Sequence, residues 1–205
     1  MRAIKMLPTI IRVFPLFLVY VLKTKILKDP LALLWRQDAD NFPRLNFFGL
    51  FYERRQYLEI FYLRFGKLAR LFRLWAGSYP MVVAVAPSNF GGGVYLDHPH
   101  GTHLNARKIG KNFKCKHNVT IGNNRGGVPV IGDIGFVGVG GCVIGDITIG
   151  NNVKIGANCV VLHSVPDNAT VVGNPAILVK LNNKKMDVKL SVFVNGVKNE
   201  NIHGD

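Results

Sequence analysis

A period of six residues constrains this chain more than any other feature. Between Ile109 and Val161 a β-branched residue or a cysteine returns at Ile109, Cys115, Ile121, Ile131, Val137, Val143, Ile149, Ile155 and Val161. Glycine follows directly at 110, 122, 132, 138, 150 and 156. Six matches neither the 3.6-residue helical repeat nor the two-residue alternation of a strand. It is the period of a parallel β-helix, in which each hexad supplies one short strand and one turn. Three hexads close a triangular coil, and the aliphatic points inward onto its counterpart in the next coil. A glycine-rich antiparallel β domain would not hold a six-residue phase over so many units. Glycine is expected at the turn because a Cβ limits the backbone there. The phase slips by four residues between Ile121 and Ile131, where NNRGGVPV intervenes. In a solenoid such an insertion must bulge outward as a loop, often on the binding face.

Upstream of the repeat the chain reads as helical. Residues 1–80 are taken as a helical domain, 81–181 as the β-helix, and 182–205 as a tail with a strand candidate in the alternation Val188, Leu190, Val192, Val194. The closing NENIHGD reads as a frayed terminus. In residues 1–28, Ile10, Phe14, Phe17, Leu18 and Val21 recur at helical spacing, broken by Pro8, Arg12 and Pro15. The run Leu7 to Leu22 falls short of the roughly 20 apolar residues that a spanning helix needs. Lys23, Lys25 and Lys28 follow it where a signal peptide would carry small residues. Two readings fit this segment: a buried helix, or an amphipathic helix lying on a membrane face. Residues 57–76 read as one helix with an aromatic stripe (Phe61, Phe65, Leu68, Phe72, Trp75) and a basic face (Arg64, Lys67, Arg70, Arg73), ended at Gly77–Pro80.

Charge narrows the partners. Lys plus Arg number 26 against 12 acids, a formal net charge of +14. That balance favours an anionic membrane face or a polyphosphate ligand. No nucleic-acid-binding motif accompanies it, so no nucleic acid is expected. The three cysteines form no disulfide framework; Cys115, Cys142 and Cys159 read as small core residues, which suggests a reducing compartment.

Leu96-Asp97-His98-x-x-Gly101, the hexads, the loop and the closing Val165-Pro166-Asp167-Asn168…Val172-Gly173-Asn174-Pro175-Ala176 resemble the serine acetyltransferase branch of the hexapeptide-repeat acyltransferases. The resemblance spans about residues 90–181. It implies a homotrimeric left-handed β-helix behind a helical N-terminal domain, and acetyl transfer from acetyl-CoA to a hydroxyl. His98 matches the family's catalytic histidine and is expected as general base, since an imidazole titrates near neutrality. Asp97 matches a residue that contacts the acceptor, with His117 one coil away. Cofactor contacts would fall, largely through backbone, at Val139, Ala157, Leu162, His163 and Lys180, with Lys154 and Lys184 or Lys185 meeting phosphates.

Two departures bear on the acceptor. No acid occupies VVAVAPSNF, where the family places the partner of its histidine, and Val128 and Gly127 replace a His and an Arg of the loop. Losing groups that would hold a carboxylate points to a neutral hydroxyl, most plausibly of a sugar in surface-polysaccharide synthesis, soluble or lipid-linked, at the cytoplasmic membrane face. The alternatives are a serine O-acetyltransferase, a zinc enzyme of the gamma-carbonic-anhydrase kind through His98, His103 and His117, and a non-catalytic scaffold. No metal is expected.

Overall fold

The computed structural model describes residues 2–124, 126–189, 193–194 and 197–198. Five helices come first: α1 (Arg2–Val21), α2 (Pro30–Ala39), α3 (Phe47–Glu53), α4 (Tyr57–Arg70) and α5 (Arg73–Ala76). α1 runs on through a π-turn at Leu22–Ile26. Its continuity through Pro8 and Pro15 departs from the sequence reading: Ile4–Ile26 is one helix, long and apolar enough to cross a membrane. Proline removes a helical N–H, and the Ile11 carbonyl that Pro15 leaves without it receives the Trp75 indole N–H at 3.5 Å. Asp29 caps α2, accepting from Leu31 N at 2.9 Å, with Pro30 in the first turn.

The 57–76 helix is not single. Gly66, at φ 66°, breaks its geometry, and the chain unwinds again before α5. The aromatic stripe therefore splits: Phe61 and Phe65 are fully buried and stacked at 4.0 Å between centroids, whereas Trp75 is 59% exposed. The basic face splits too. Arg64 is buried, where a solvated cation was expected.

Among the described residues seventeen short strands follow: β1 (Val82–Val83), β2 (Tyr95–Leu96), β3 (His103–Leu104), β4 (Lys108–Ile109), β5 (Lys114–Cys115), β6 (Thr120–Gly122), β7 (Val130–Ile131), β8 (Phe136–Val137), β9 (Cys142–Ile144), β10 (Thr148–Ile149), β11 (Lys154–Ile155), β12 (Val160–Val161), β13 (Ala169–Val172), β14 (Ile177–Leu181), β15 (Lys184–Lys189), β16 (Phe193–Val194) and β17 (Val197–Lys198). They stack as three parallel faces: β1-β3-β6-β9-β12; β4-β7-β10, extended by bridges at Phe90 and Val165; and β2-β5-β8-β11-β13. The result is a left-handed solenoid of about five coils.

All nine repeat-position residues are buried. They continue columns such as Leu96–Cys115–Val137–Ile155–Val171, each registered on the next. The glycines after them serve a different purpose from the one expected. None of these six carries positive φ. At Gly132 an added Cβ would lie 2.7 Å from the Gly150 backbone, so glycine is needed for close approach of coils. The left-handed turn positions are filled mainly by asparagine, at Asn112, Asn118, Asn152, Asn158 and Asn168, as its short polar side chain permits.

Both ends of the solenoid are covered. At the far end the chain turns back as antiparallel β14 and β15 on β13. Val188 lies in β15 and Val194 in β16, while Leu190, Val192 and the NENIHGD terminus lie outside the described residues. At the near end the helices grip the irregular first coil. Arg64 donates to Asp38 Oδ2 (3.0 Å), Phe90 O (2.5 Å) and Gly91 O (2.6 Å). Asp38 Oδ1 accepts from Val94 N at 3.0 Å, Tyr57 Oη donates to Val94 O at 2.8 Å, and Gln56 Nε2 donates to Leu96 O at 3.3 Å. The helical unit thereby fixes β2, the strand that leads into Asp97 and His98.

Candidate active site

The turn carrying His98 is longer than its successors. Leu96 and Leu104, the inward residues flanking it, stand eight apart, against six for Cys115 to Ile121 and for Val137 to Val143. Two extra residues cannot fit the hexad turn, so they bulge outward. His98 occupies the bulge in left-handed backbone (φ 51°) with its imidazole 72% exposed. A non-glycine residue held there carries backbone strain, which proteins concentrate at functional positions. The bulge is strapped at several points. Asp97 N donates to Cys115 O (2.9 Å), Gly101 N to Pro80 O (3.0 Å), and Asn118 N to His100 O (2.8 Å). Tyr79 Oη and His100 Nε2 lie 2.7 Å apart. Buried Thr102 ties the turn to the next coil, donating to Lys116 O at 3.2 Å and accepting from Val119 N at 3.3 Å.

Asp97 faces His98, with Oδ1 3.6 Å from Nε2. Its other oxygen accepts from Lys116 Nζ at 2.5 Å. The hydrogen bond from that lysine holds the Asp97 carboxyl below the usual carboxylate range against the opposing effect of burial, and Asp97 in turn raises the Lys116 ammonium. Sequence reasoning passed over Lys116. Its signal was its place one coil after Asp97, because Leu96 registers on Cys115.

The other expected site residues fall at two corners of the prism. Asp97, His98, His117, Val139 and Ala157 share the corner that follows the β2-β5-β8-β11 face. Leu162 and His163 follow β12 at a second, exposed corner. Val128 and Gly127 stand at that second corner too, after β6, in a hairpin closed by Asn124–Gly127 bonds. Within one protomer these sets do not meet. Lys154 registers on Thr170, Thr170 on Lys180 and Lys180 on Lys185, which puts three exposed lysines along one row. His103 stands on a different face from His98 and His117, and among the described residues no three His, Cys, Asp or Glu side chains cluster as metal ligands. Burial pushes the Cys115 thiol up to about 12 and the Cys159 thiol up to about 11, as core residues require.

Comparison with known proteins follows the same lines. No family model matches the chain. It is 33% identical over 146 residues to the serine acetyltransferase of Bacillus pumilus, covering 69% of this chain and 63% of that protein. It is 41% identical over 96 residues to the mitochondrial serine acetyltransferase 3 of Arabidopsis thaliana, covering 44% and 25%. The chain thus spans less than two thirds of either relative. Among solved structures, Neisseria gonorrhoeae serine acetyltransferase in complex with serine superposes with a TM-score of 0.56 at 27% identity, covering 78% of this chain and 72% of that one. These matches overturn the expected sugar acceptor and its polysaccharide setting. The inference from Val128 and Gly127 treated the loop as the only source of a cation, while Lys116 stands beside Asp97 in the adjacent coil.

Proposed function

From a chain homologous to the serine acetyltransferases among the hexapeptide-repeat acyltransferases, we propose an acetyl-CoA-dependent serine O-acetyltransferase. The observation that carries this reading is the over-long turn that presents the exposed His98 imidazole beside the Asp97–Lys116 pair. His98 takes the proton of the serine hydroxyl, and the oxygen attacks the thioester carbonyl of acetyl-CoA. The tetrahedral intermediate collapses with cleavage of the C–S bond, and the leaving thiolate takes the proton back from the imidazolium. Serine is a zwitterion, and the pair has the matching polarity: the Asp97 carboxylate for the ammonium, the Lys116 ammonium for the carboxylate. Asp97 also lies close enough to His98 to favour the imidazolium as it forms.

Acetyl-CoA enters as co-substrate, not as a resident group. The short side chains of Val139 and Ala157 leave room for the pantetheine arm, and the lysine row suits the phosphates as point charges. Leu162 and His163 stand at another corner of the prism from Val139 and Ala157, so we place the cofactor groove between subunits of a homotrimer. The three cysteines are unpaired, which suits a reducing, cytoplasmic setting.

The test is CoA thiol release from acetyl-CoA with L-serine, alongside His98→Ala. Release that falls by roughly 10²–10⁴ in the variant, with the trimer intact by sedimentation, is expected for loss of a general base. Release unchanged in His98→Ala would overturn the assignment.

A further inference from the structure

α1 is apolar on both sides, and only one side is used. Val13, Leu16 and Val19 are buried within the helical unit. On the opposite side Ile4, Leu7, Ile11, Phe14 and Leu18 follow at steps of three and four, each between 48% and 76% exposed. Such steps draw one continuous stripe along a helix. α5 packs against α1 and carries Leu74 and Trp75, with exposed Leu71 in the turn before it; Leu74 is fully exposed, and Trp75 reaches the Ile11 carbonyl. A contiguous apolar face of this extent marks an interaction surface.

The charges around it select the partner. Residues 1–28 contain no acidic residue. Exposed Lys25 and Lys28 stand beyond one end of the stripe, and exposed Arg70 accompanies Leu71, Leu74 and Trp75, while Arg73 is paired with Glu59. A second copy docked face to face would bring cations onto cations with no acid in the segment to pair them. An anionic lipid surface meets both requirements, apolar depth and negative charge. The helix is long enough to span, yet spanning would strip Val13, Leu16 and Val19 from the protein core.

We infer that the helical unit binds an anionic membrane surface, with α1 lying in the interface plane and the Ile4–Leu18 stripe, Leu74 and Trp75 facing the acyl chains. The full-length protein is tested by co-sedimentation with phosphatidylcholine vesicles and with vesicles also containing phosphatidylglycerol. Preferential binding to the anionic vesicles is expected. The emission of Trp75 should shift to the blue on binding, while buried Trp35 supplies a constant background. Ile11→Glu/Phe14→Glu, both at exposed positions, should weaken vesicle binding about tenfold or more with an unchanged circular-dichroism spectrum. Lys25→Glu/Lys28→Glu should lose the preference for anionic vesicles. Wild-type binding by Ile11→Glu/Phe14→Glu, or no vesicle binding by the native protein, would overturn the inference. So would a lipid-free assembly that this variant splits into smaller ones, because the face would then join copies of the chain.

Discussion

Replacing Asp38 by Asn tests how the helical unit holds the first coil. The Asp38 and Arg64 side chains are both 0% exposed. Arg64 is fixed by the two Asp38 oxygens, at 3.0 and 3.5 Å, and by the carbonyls of Phe90 and Gly91. Asn keeps the volume and one acceptor but leaves the guanidinium without a counter-charge. Breaking a buried pair in this way costs about 3–5 kcal/mol. The two carbonyl acceptors remain and keep charge-assisted bonds, so the lower end, about 3 kcal/mol, is expected here. That is a large part of a total stability of about 5–15 kcal/mol. With a urea slope of about 2 kcal/mol/M, the unfolding midpoint should fall by roughly 1.5 M. The double variant Asp38→Leu/Arg64→Met removes both charges but also leaves the Phe90 and Gly91 carbonyls and the Val94 N–H without partners, so it should not recover the stability lost in the single variant. Arg107→Ala, which breaks an exposed pair with Asp146, should stay within about 1 kcal/mol. A loss below about 1 kcal/mol in Asp38→Asn, or a double variant as stable as the native protein, would refute the reasoning.

Two further outcomes follow from the coil geometry. Lys116→Met removes the group that holds the Asp97 carboxyl down, so that carboxyl should titrate at higher pH. The sign is that of a depressed acid: the pair's contribution is present above the ordinary carboxylate range and is lost as pH falls through the folded value. On the proposed function, loss of the Lys116 ammonium should raise the KM for serine, read from thiol-release assays; an unmoved KM would exclude Lys116 from the site. Gly132→Ala drives a Cβ to 2.7 Å from the Gly150 backbone, and overpacking of this kind should cost about 1–3 kcal/mol in thermal unfolding. A neutral result would mean that adjacent coils can separate there freely.

The inward columns were legible because a period of six has one structural solution, and every repeat position is buried. The reason for the glycines was not. A sequence displays a glycine's freedom of φ and conceals its neighbours; here the neighbour is the backbone of the next coil, which only the stacking register reveals. The helical unit was misread at Arg64 for a related reason. Its i+3 partners Lys67, Arg70 and Arg73 are exposed, and periodicity groups it with them. What buries it is Asp38, 26 residues earlier, together with the carbonyls of a coil that has no regular strand to satisfy them. A buried carbonyl without a ladder partner needs a donor from elsewhere, and Arg64 supplies two.

The acceptor was misread by comparing one loop with its family counterpart position by position. In a solenoid the nearest neighbour of a residue lies one coil away, and coil length varies: 19 residues from Leu96 to Cys115, 22 from Cys115 to Val137, 18 from Val137 to Ile155. Lys116 becomes the neighbour of Asp97 only once the first of these lengths is known. The loop that carries Val128 and Gly127 stands at a different corner from Asp97 and His98. Lys116, by contrast, lies at the corner that carries His98 and pairs with Asp97. On the proposed function, a serine carboxylate could then meet Lys116 in the coil in place of the loop while its hydroxyl stays at His98. On that reading the Val128 and Gly127 departures would relocate the carboxylate contact and leave the proposed transfer at His98 in place.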